Sequence, residues 1–238
     1  MLVNKVNKRS LWESNREPHK VYVIDQRNLP FEYNVFCIDS FKKACFAIEE
    51  MIIRGAPLIG ITAAYGLYIQ SLSLKQNWQD KLKISGERLC KCRPTAVNLS
   101  WAVDEMLNSI DLNSTLENAQ NTLLNKAREL YENDINTCRS IGQYGLNVIN
   151  EIYQHKNDTV NILTHCNAGW LACIDYGTAT APMYISHDKG LPIHIWVDET
   201  RPRNQGSRLT NWELSNHGIK NTVIVDNAGG HLMQKGLV

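Results

Sequence analysis

The sequence predicts an α/β protein. A small, mainly helical N-terminal domain with a short antiparallel β unit, residues 1–154, precedes a Rossmann-like parallel-sheet domain, residues 155–238, that is incomplete in this chain. Three observations carry this. The β-branched run Val21-Tyr22-Val23-Ile24-Asp25 is followed at once by the turn signal Gln26-Arg27-Asn28-Leu29-Pro30. Apolar residues then recur at helical spacing as far as Tyr153. Beyond His155-Lys156-Asn157-Asp158, short apolar runs alternate with helical stretches, the pattern of strand-helix-strand units and a parallel sheet.

The antiparallel unit is expected to extend to about Val35. A helix follows from Phe41 to Ile53, capped by Asp39 or Ser40. Arg54-Gly55-Ala56-Pro57 breaks it, and a second helix runs from Leu58 to Leu74, with small residues at Gly60, Ala63, Ala64 and Gly66 that let a neighbouring helix approach. Pro94 excludes a helix through Cys92–Leu99, and helical periodicity resumes from Ser100 to Ile110. Leu116 to Tyr153 reads as one long helical region that Gly142 and Gly145 weaken. The second domain is expected to hold strand Val160–Thr164, helix Ala168–Met183, strand Ile193–Val197, helix Gly206–His217, strand Thr222–Val225 and the start of a helix at Ala228–Gly236. A parallel sheet normally buries both faces, so three strands before Val238 suggest a chain that stops inside a domain.

Composition narrows the function classes. With 43% hydrophobic and 21% charged residues the chain has the makings of an ordinary globular core. A formal net charge of +1 with no block of like charges offers no footprint for nucleic acid or an anionic membrane. The seven cysteines are scattered without a Cys-x-x-Cys pair, which fits a reducing compartment better than a disulfide framework or a zinc ribbon. Residues 1–18 lack the apolar core of a signal peptide, and the apolar stretch Ala56–Ile69 is too short to span a bilayer, so a cytoplasmic protein is expected. Neither a Gly-x-Gly-x-x-Gly after a strand nor a Walker loop occurs, and the histidines have no ligand spacing, so neither a cofactor nor a metal is expected.

Four segments have residues suited to chemistry. In Thr164-His165-Cys166-Asn167-Ala168-Gly169, Cys166 falls at the C-terminal end of a predicted strand, where open α/β sheets place their sites, and just before a predicted helix whose N-terminus would favour a thiolate. The competing reading is a small buried hydrophobe. Arg54-Gly55-Ala56-Pro57 puts an arginine before a proline-started helix, a site for a phosphate or a salt-bridged helical turn; Arg93-Pro94-Thr95 repeats the arrangement, with a surface arginine as the alternative. Asp198 to Gly206 follows the next strand end. There Glu199 and Arg201 pair with each other or cap helices, and Gln205 is the better ligand candidate.

Taken together, Arg54-Gly55-Ala56-Pro57, Arg93-Pro94-Thr95-Ala96-Val97-Asn98-Leu99, Thr164-His165-Cys166-Asn167-Ala168-Gly169 and Glu199-Thr200-Arg201-Pro202 resemble, in order and spacing, the S-methyl-5-thioribose-1-phosphate isomerases of methionine salvage. Asn204-Gln205-Gly206-Ser207-Arg208-Leu209-Thr210 and Asp226-Asn227-Ala228-Gly229-Gly230 extend the resemblance from about residue 20 to the last residue. The resemblance implies an aldose-ketose isomerase whose partner is a small phosphosugar, homodimeric at full length. In it Arg54, Gly55, Ala56, Arg93 and Gln205 bind substrate and Cys166 is catalytic, either as the base that takes the C2 proton or as part of a dry site for a hydride shift. The same resemblance leaves 5-deoxyribose 1-phosphate and ribose 1,5-bisphosphate as alternative substrates. It also leaves a non-catalytic sugar-phosphate-binding or assembly subunit, as among the related translation-factor subunits. One departure is expected to matter: the family's catalytic aspartate lies one strand beyond the Asn-Ala-Gly-Gly helix, followed by a substrate-binding Asn-Lys pair, and Asp226 matches a different position. The chain is therefore expected to be inactive by itself and poorly soluble.

Overall fold

The computed structural model describes residues 1–17 and 19–238. By their contacts these form two compact units: Met1–Arg9 with Leu29–Glu32 and Ile135–Val238, and Ser10–Asn28 with Tyr33–Asp134. They are called here the strand-end unit and the helical unit.

The helical unit opens on three antiparallel strands, β3 (Leu11–Glu13), β4 (Val21–Asp25) and β5 (Asn34–Ile38), in sequence order. The β4–β5 register pairs Val21 with Ile38 and Asp25 with Asn34, so the antiparallel unit reaches three residues past the expected Val35. Helix α1 (Phe41–Glu49) starts at Ser40, whose Oγ accepts from the Lys43 amide at 3.4 Å; it ends short of Ile53, though Ile52 and Ile53 remain buried. Helix α2 (Ala56–Ser73) is the centre of the unit. It is buried on nearly every side, as a helix apolar all round must be. Its small residues let its neighbours close in: a Cβ on Gly60 would meet the Asn98 carbonyl oxygen at 2.7 Å, and one on Gly66 the Ala44 Cβ at 2.8 Å. Helix α3 (Trp78–Cys92) was not anticipated; α4 (Val97–Asn108) begins after the Pro94 break as expected.

Helix α5 (Leu116–Lys156) is continuous for 41 residues and passes from one unit to the other. The expected domain boundary at 154/155 falls near its end. Gly142 and Gly145 are not weak points in it but points of contact. A Cβ on Gly142 would sit 2.6 Å from Ile185 Cδ1, and one on Gly145 2.4 Å from Pro182 Cγ, so both glycines let the next helix lie directly on α5.

In the strand-end unit β6 (Val160–His165), β7 (Ile193–Asp198) and β8 (Asn221–Ile224) form a parallel sheet in that order. The register sets Val160 beside Ile193 and His165 beside Asp198, and Asp198 beside Ile224. A small hairpin, β1 (Leu2–Val3) with β2 (Val6–Asn7), also belongs here. The largest difference from the expected elements lies after β6. Instead of a helix over Ala168–Met183 there is one 3-10 turn, Trp170–Ala172, then irregular backbone, and helix α6 occupies only Ala181–Asp188. The loop folds back on itself: the Thr178 and Ala179 amides both donate to the Ala168 carbonyl oxygen, at 2.9 and 3.1 Å. Gly177, at φ +79°, lies so close to Gly169 that a Cβ would stand 2.3 Å from the Gly169 carbonyl carbon. Helical periodicity in Ala168–Met183 is thus overridden by a glycine-on-glycine contact. After β7, a π-helical turn (Gly206–Thr210) runs into α7 (Asn211–His217), and α8 (Gly229–Gln234) follows β8.

Candidate active site

At the C-terminal edge of the parallel sheet, β6 ends on His165 and the chain turns at Cys166. Cys166 adopts φ +63°, the left-handed conformation that costs a side-chain-bearing residue about 1–2 kcal/mol. The helix N-terminus expected to act on the thiol is not there, because α6 starts only at Ala181. That reason for a thiolate falls away. What holds Cys166 instead is a chain of hydrogen bonds to its own peptide. The Thr210 hydroxyl donates to the Cys166 carbonyl oxygen at 2.6 Å, and Asn167 Nδ2 donates to Thr210 Oγ1 at 3.2 Å and to Glu213 Oε1 at 3.3 Å. The thiol residue is half-buried rather than sealed in the core, so the buried-hydrophobe reading does not describe it.

Beside it, His165 Nδ1 lies 2.9 Å from Asp198 Oδ2, across the register pair that ends β6 and β7. Asp226 completes a group in which one ring nitrogen and two carboxyl oxygens lie within 4.8 Å of one another.

Glu199 has a structural task. Its Oε1 accepts from the amides of Thr200 (2.8 Å), Gly206 (2.9 Å) and Ser207 (3.3 Å), so it caps the π-helical turn and does not pair with Arg201. Burial works against its charge, yet the hydrogen bonds from Ser207, Thr200 and Gly206 outweigh that and hold its pKa below the usual value. The close approach needs glycine at 206, where a Cβ would be 2.7 Å from the Asp198 carbonyl oxygen. Gln205, the expected ligand, is thereby carried at the start of that turn, partly exposed. Arg201 donates its backbone amide to Asp226 Oδ2 at 2.8 Å. A groove of about 660 Å³ is lined by Glu199, Arg201, Asp226, Asn227 and residues at the end of β8, with neither Cys166 nor Gln205 in its wall.

The arginine segments belong to the helical unit. Gly55 is the extended residue before α2, with Pro57 in the first turn, and Ala96 is the extended residue before α4; neither helix start is capped by a side chain. The contact of Gly60 with the Asn98 carbonyl oxygen places the opening turns of α2 and α4 side by side. Arg54 therefore precedes one of two adjoining helix starts and Arg93 the other, an arrangement that concentrates amide donors and positive charge suited to a phosphate.

The sequence singles out Cys166, Gln205, Arg54 and Arg93 as candidates but not the residues that fix the backbone at Cys166. Asn167 was adjacent in sequence and carried no signal of its own, and Thr210 and Glu213 lie 43 and 46 residues from it. The His165–Asp198 pair was within reach, since each residue directly follows one of two predicted neighbouring strands.

A parallel sheet with a thiol and a His–Asp pair at its strand ends, beside a helical unit with arginine-led helix starts, defines the chain as a two-unit α/β protein. It belongs to the initiation factor 2 subunit family, whose sequence model matches residues 52–238. It is similar to the methylthioribose-1-phosphate isomerase of Desulfatibacillum aliphaticivorans, 50% identical over all of this chain and 65% of that protein. The same enzyme of Escherichia coli O45:K1 is 48% identical over 96% of this chain and 61% of its own length. Among solved structures, 5-methylthioribose 1-phosphate isomerase from Pyrococcus horikoshii superposes with a TM-score of 0.87 at 34% identity, covering 98% of this chain and 64% of that one. Translation initiation factor eIF-2B subunit delta from A. fulgidus gives 0.83 at 33% identity, covering 98% and 66%. The chain thus spans less than two thirds of the length of the isomerases it matches.

Proposed function

We propose that this chain carries the thiol and phosphate-binding segments of a methylthioribose-1-phosphate isomerase, a cytoplasmic, homodimeric enzyme of methionine salvage. The carrying observation is Cys166 itself, a non-glycine residue kept left-handed at a strand end by hydrogen bonds to its own peptide. Backbone held so in a sparsely populated region is characteristic of functional sites. Relatives at 44–50% identity over at least 92% of the chain bear the isomerase name, which supports the reading.

In the reaction proposed, the bond from C1 to the ring oxygen breaks and that oxygen takes a proton. The hydrogen on C2 moves to C1, and the C2 hydroxyl gives up its proton to become the ketone. Arg54, Arg93, the Gly55 and Ala56 segment and Gln205 hold the phosphosugar. Cys166 takes the C2 proton, or walls a dry site in which hydride passes directly to C1. The two roles differ in solvent exchange: proton transfer through a thiol admits deuterium at C1 of the product in D2O, whereas a direct shift does not.

The test is to join this chain to the part of the D. aliphaticivorans relative that it does not span and to follow methylthioribose 1-phosphate by phosphorus NMR. Conversion to the ketose phosphate that is lost on Cys166→Ser is the expected result; conversion unaffected by that substitution would contradict it. Parallel trials with 5-deoxyribose 1-phosphate and ribose 1,5-bisphosphate identify the preferred sugar. The likeness to an eIF-2B delta structure at 33% identity favours a second reading, a subunit that binds a sugar phosphate without converting it. Binding without turnover in the joined protein would select that reading.

A further inference from the structure

Glu213, on α7, is completely buried, and the loop that carries Cys166 is folded around its carboxyl group. Its Oε1 accepts from the Leu171 amide at 2.7 Å and from Asn167 Nδ2 at 3.3 Å. Its Oε2 occupies the space beside Gly169, where a Cβ would stand only 1.7 Å away. The bonds that follow have one direction. Because Glu213 Oε1 accepts from the Asn167 amide, that amide must present its nitrogen, so Thr210 Oγ1 accepts from it; the Thr210 proton is then left to donate to the Cys166 carbonyl oxygen. An apolar side chain would fill the same space without the cost of burying a carboxyl group. What the carboxyl adds is this directed chain and its hold on Leu171.

We propose that Glu213 is a positioning residue for the Cys166 thiol: through Asn167, Thr210 and the Leu171 amide it keeps Cys166 in its left-handed conformation and so sets where the thiol meets the sugar. This rests on the proposed isomerase reading and adds the residue that makes its thiol competent. Glu213 touches no reacting atom in this account. Its effect is on turnover and not on the phosphate, which is held by other residues.

The experiment compares Glu213→Ala, Glu213→Gln and Leu214→Ala in the joined protein described above. Leu214 is fully buried on the same helix and takes no part in the network, so its substitution controls for lost stability alone. Each variant is measured for kcat, for KM and, in this 238-residue chain, for the rate at which iodoacetamide modifies Cys166, read peptide by peptide. Displacement of a reacting group by about 1 Å costs on the order of 100-fold in rate, so Glu213→Ala is expected to lower kcat about 10- to 100-fold with KM little changed. Glu213→Gln, which retains the acceptor oxygen, is expected to recover most of that loss, and Leu214→Ala to keep kcat. Cys166 modification should change in Glu213→Ala alone. Equal kcat for Glu213→Ala and Leu214→Ala, while Cys166→Ser abolishes turnover, would overturn the proposal and spare the isomerase reading. Should Glu213→Ala not fold, a Glu213→Gln protein that keeps most of its kcat and a Thr210→Val protein with reduced kcat and unaltered KM are expected; a Thr210→Val protein with normal kcat would overturn it. Normal turnover in Cys166→Ser would instead remove the reading on which it rests.

Discussion

The thiol segment and the arginine segments are built by different physics. Arg54 and Arg93 are placed by helices that pack through apolar and small residues, and their position follows from where α2 and α4 begin. Cys166 is placed by a buried polar network drawn from three parts of the chain and by two glycines that touch backbone to backbone. A site built on helix starts tolerates small shifts, since a phosphate can be met by several amides. A thiol mounted on one left-handed peptide does not, and disturbance there should fall on turnover.

The largest expected effect follows from that contrast. In the joined protein Cys166→Ser should lower kcat about 10²- to 10⁴-fold, the usual weight of one proton-transferring group, with KM nearly unchanged. Arg93→Ala should do the reverse, raising KM about 10- to 100-fold through loss of a charged hydrogen-bond partner while kcat changes little. Steady-state kinetics on the two variants would break the comparison if both acted on kcat.

The same contrast extends to stability. Gly169→Ala drives a methyl group onto the buried Glu213 carboxyl and should cost about 3 kcal/mol or more in urea unfolding. Gly60→Ala, against the Asn98 carbonyl oxygen at 2.7 Å, should cost about 1–3 kcal/mol by forcing α2 and α4 apart. Gly218→Ala, with open space around it and φ +85°, should cost only the conformational strain of about 1 kcal/mol. If Gly169→Ala proved as mild as Gly218→Ala, the thiol loop would not be anchored as described.

A further effect is in pH. Burial raises the Glu213 pKa from 4.5 to about 8, against the hydrogen bonds from Leu171 and Asn167 and the attraction of the Met1 ammonium. Tyr184 is a further neighbour; it is raised by its own burial and by the Glu213 and Asp175 charges, and its ring lies 4.9 Å from that of His217. Below pH 4.5 both folded and unfolded chains hold the Glu213 proton. Between 4.5 and about 8 only the folded chain does, so its contribution to stability falls as pH rises through that window and is constant above it. Denaturation of the wild type and Glu213→Gln at pH 5 and pH 8 should show this component in the wild type only.

In the helical unit the starts of α1, α2 and α4 were legible while α3 was not, and the reason is local. Pro57, Pro94 and the Ser40 cap mark helix starts through interactions a few residues long, so α1, α2 and α4 begin within three residues of where the sequence puts them. The strands β6, β7 and β8 were legible from their β-branched runs. The helix expected over Ala168–Met183 failed because Gly169 and Gly177 are used for contact with each other and with Glu213, information that lies outside any helical window. Gly142 and Gly145 misled in the opposite sense, since their value is to α6 and not to α5 itself. Within the site, the residues that meet substrate in the proposed reading were visible as a pattern of reactive types. The residues that hold the thiol were not, because Thr210 and Glu213 reach the loop only through the fold.

In the proposed reading, the arginines hold and the thiol meets the same phosphosugar. This is tested most directly by the rate of Cys166 alkylation in the joined protein with and without methylthioribose 1-phosphate, in the wild type and in Arg93→Ala. The account predicts that the phosphosugar protects Cys166, and that Arg93→Ala needs about 10- to 100-fold more of it for the same protection. Alkylation of the wild type as fast with turnover-saturating phosphosugar as without it would contradict it.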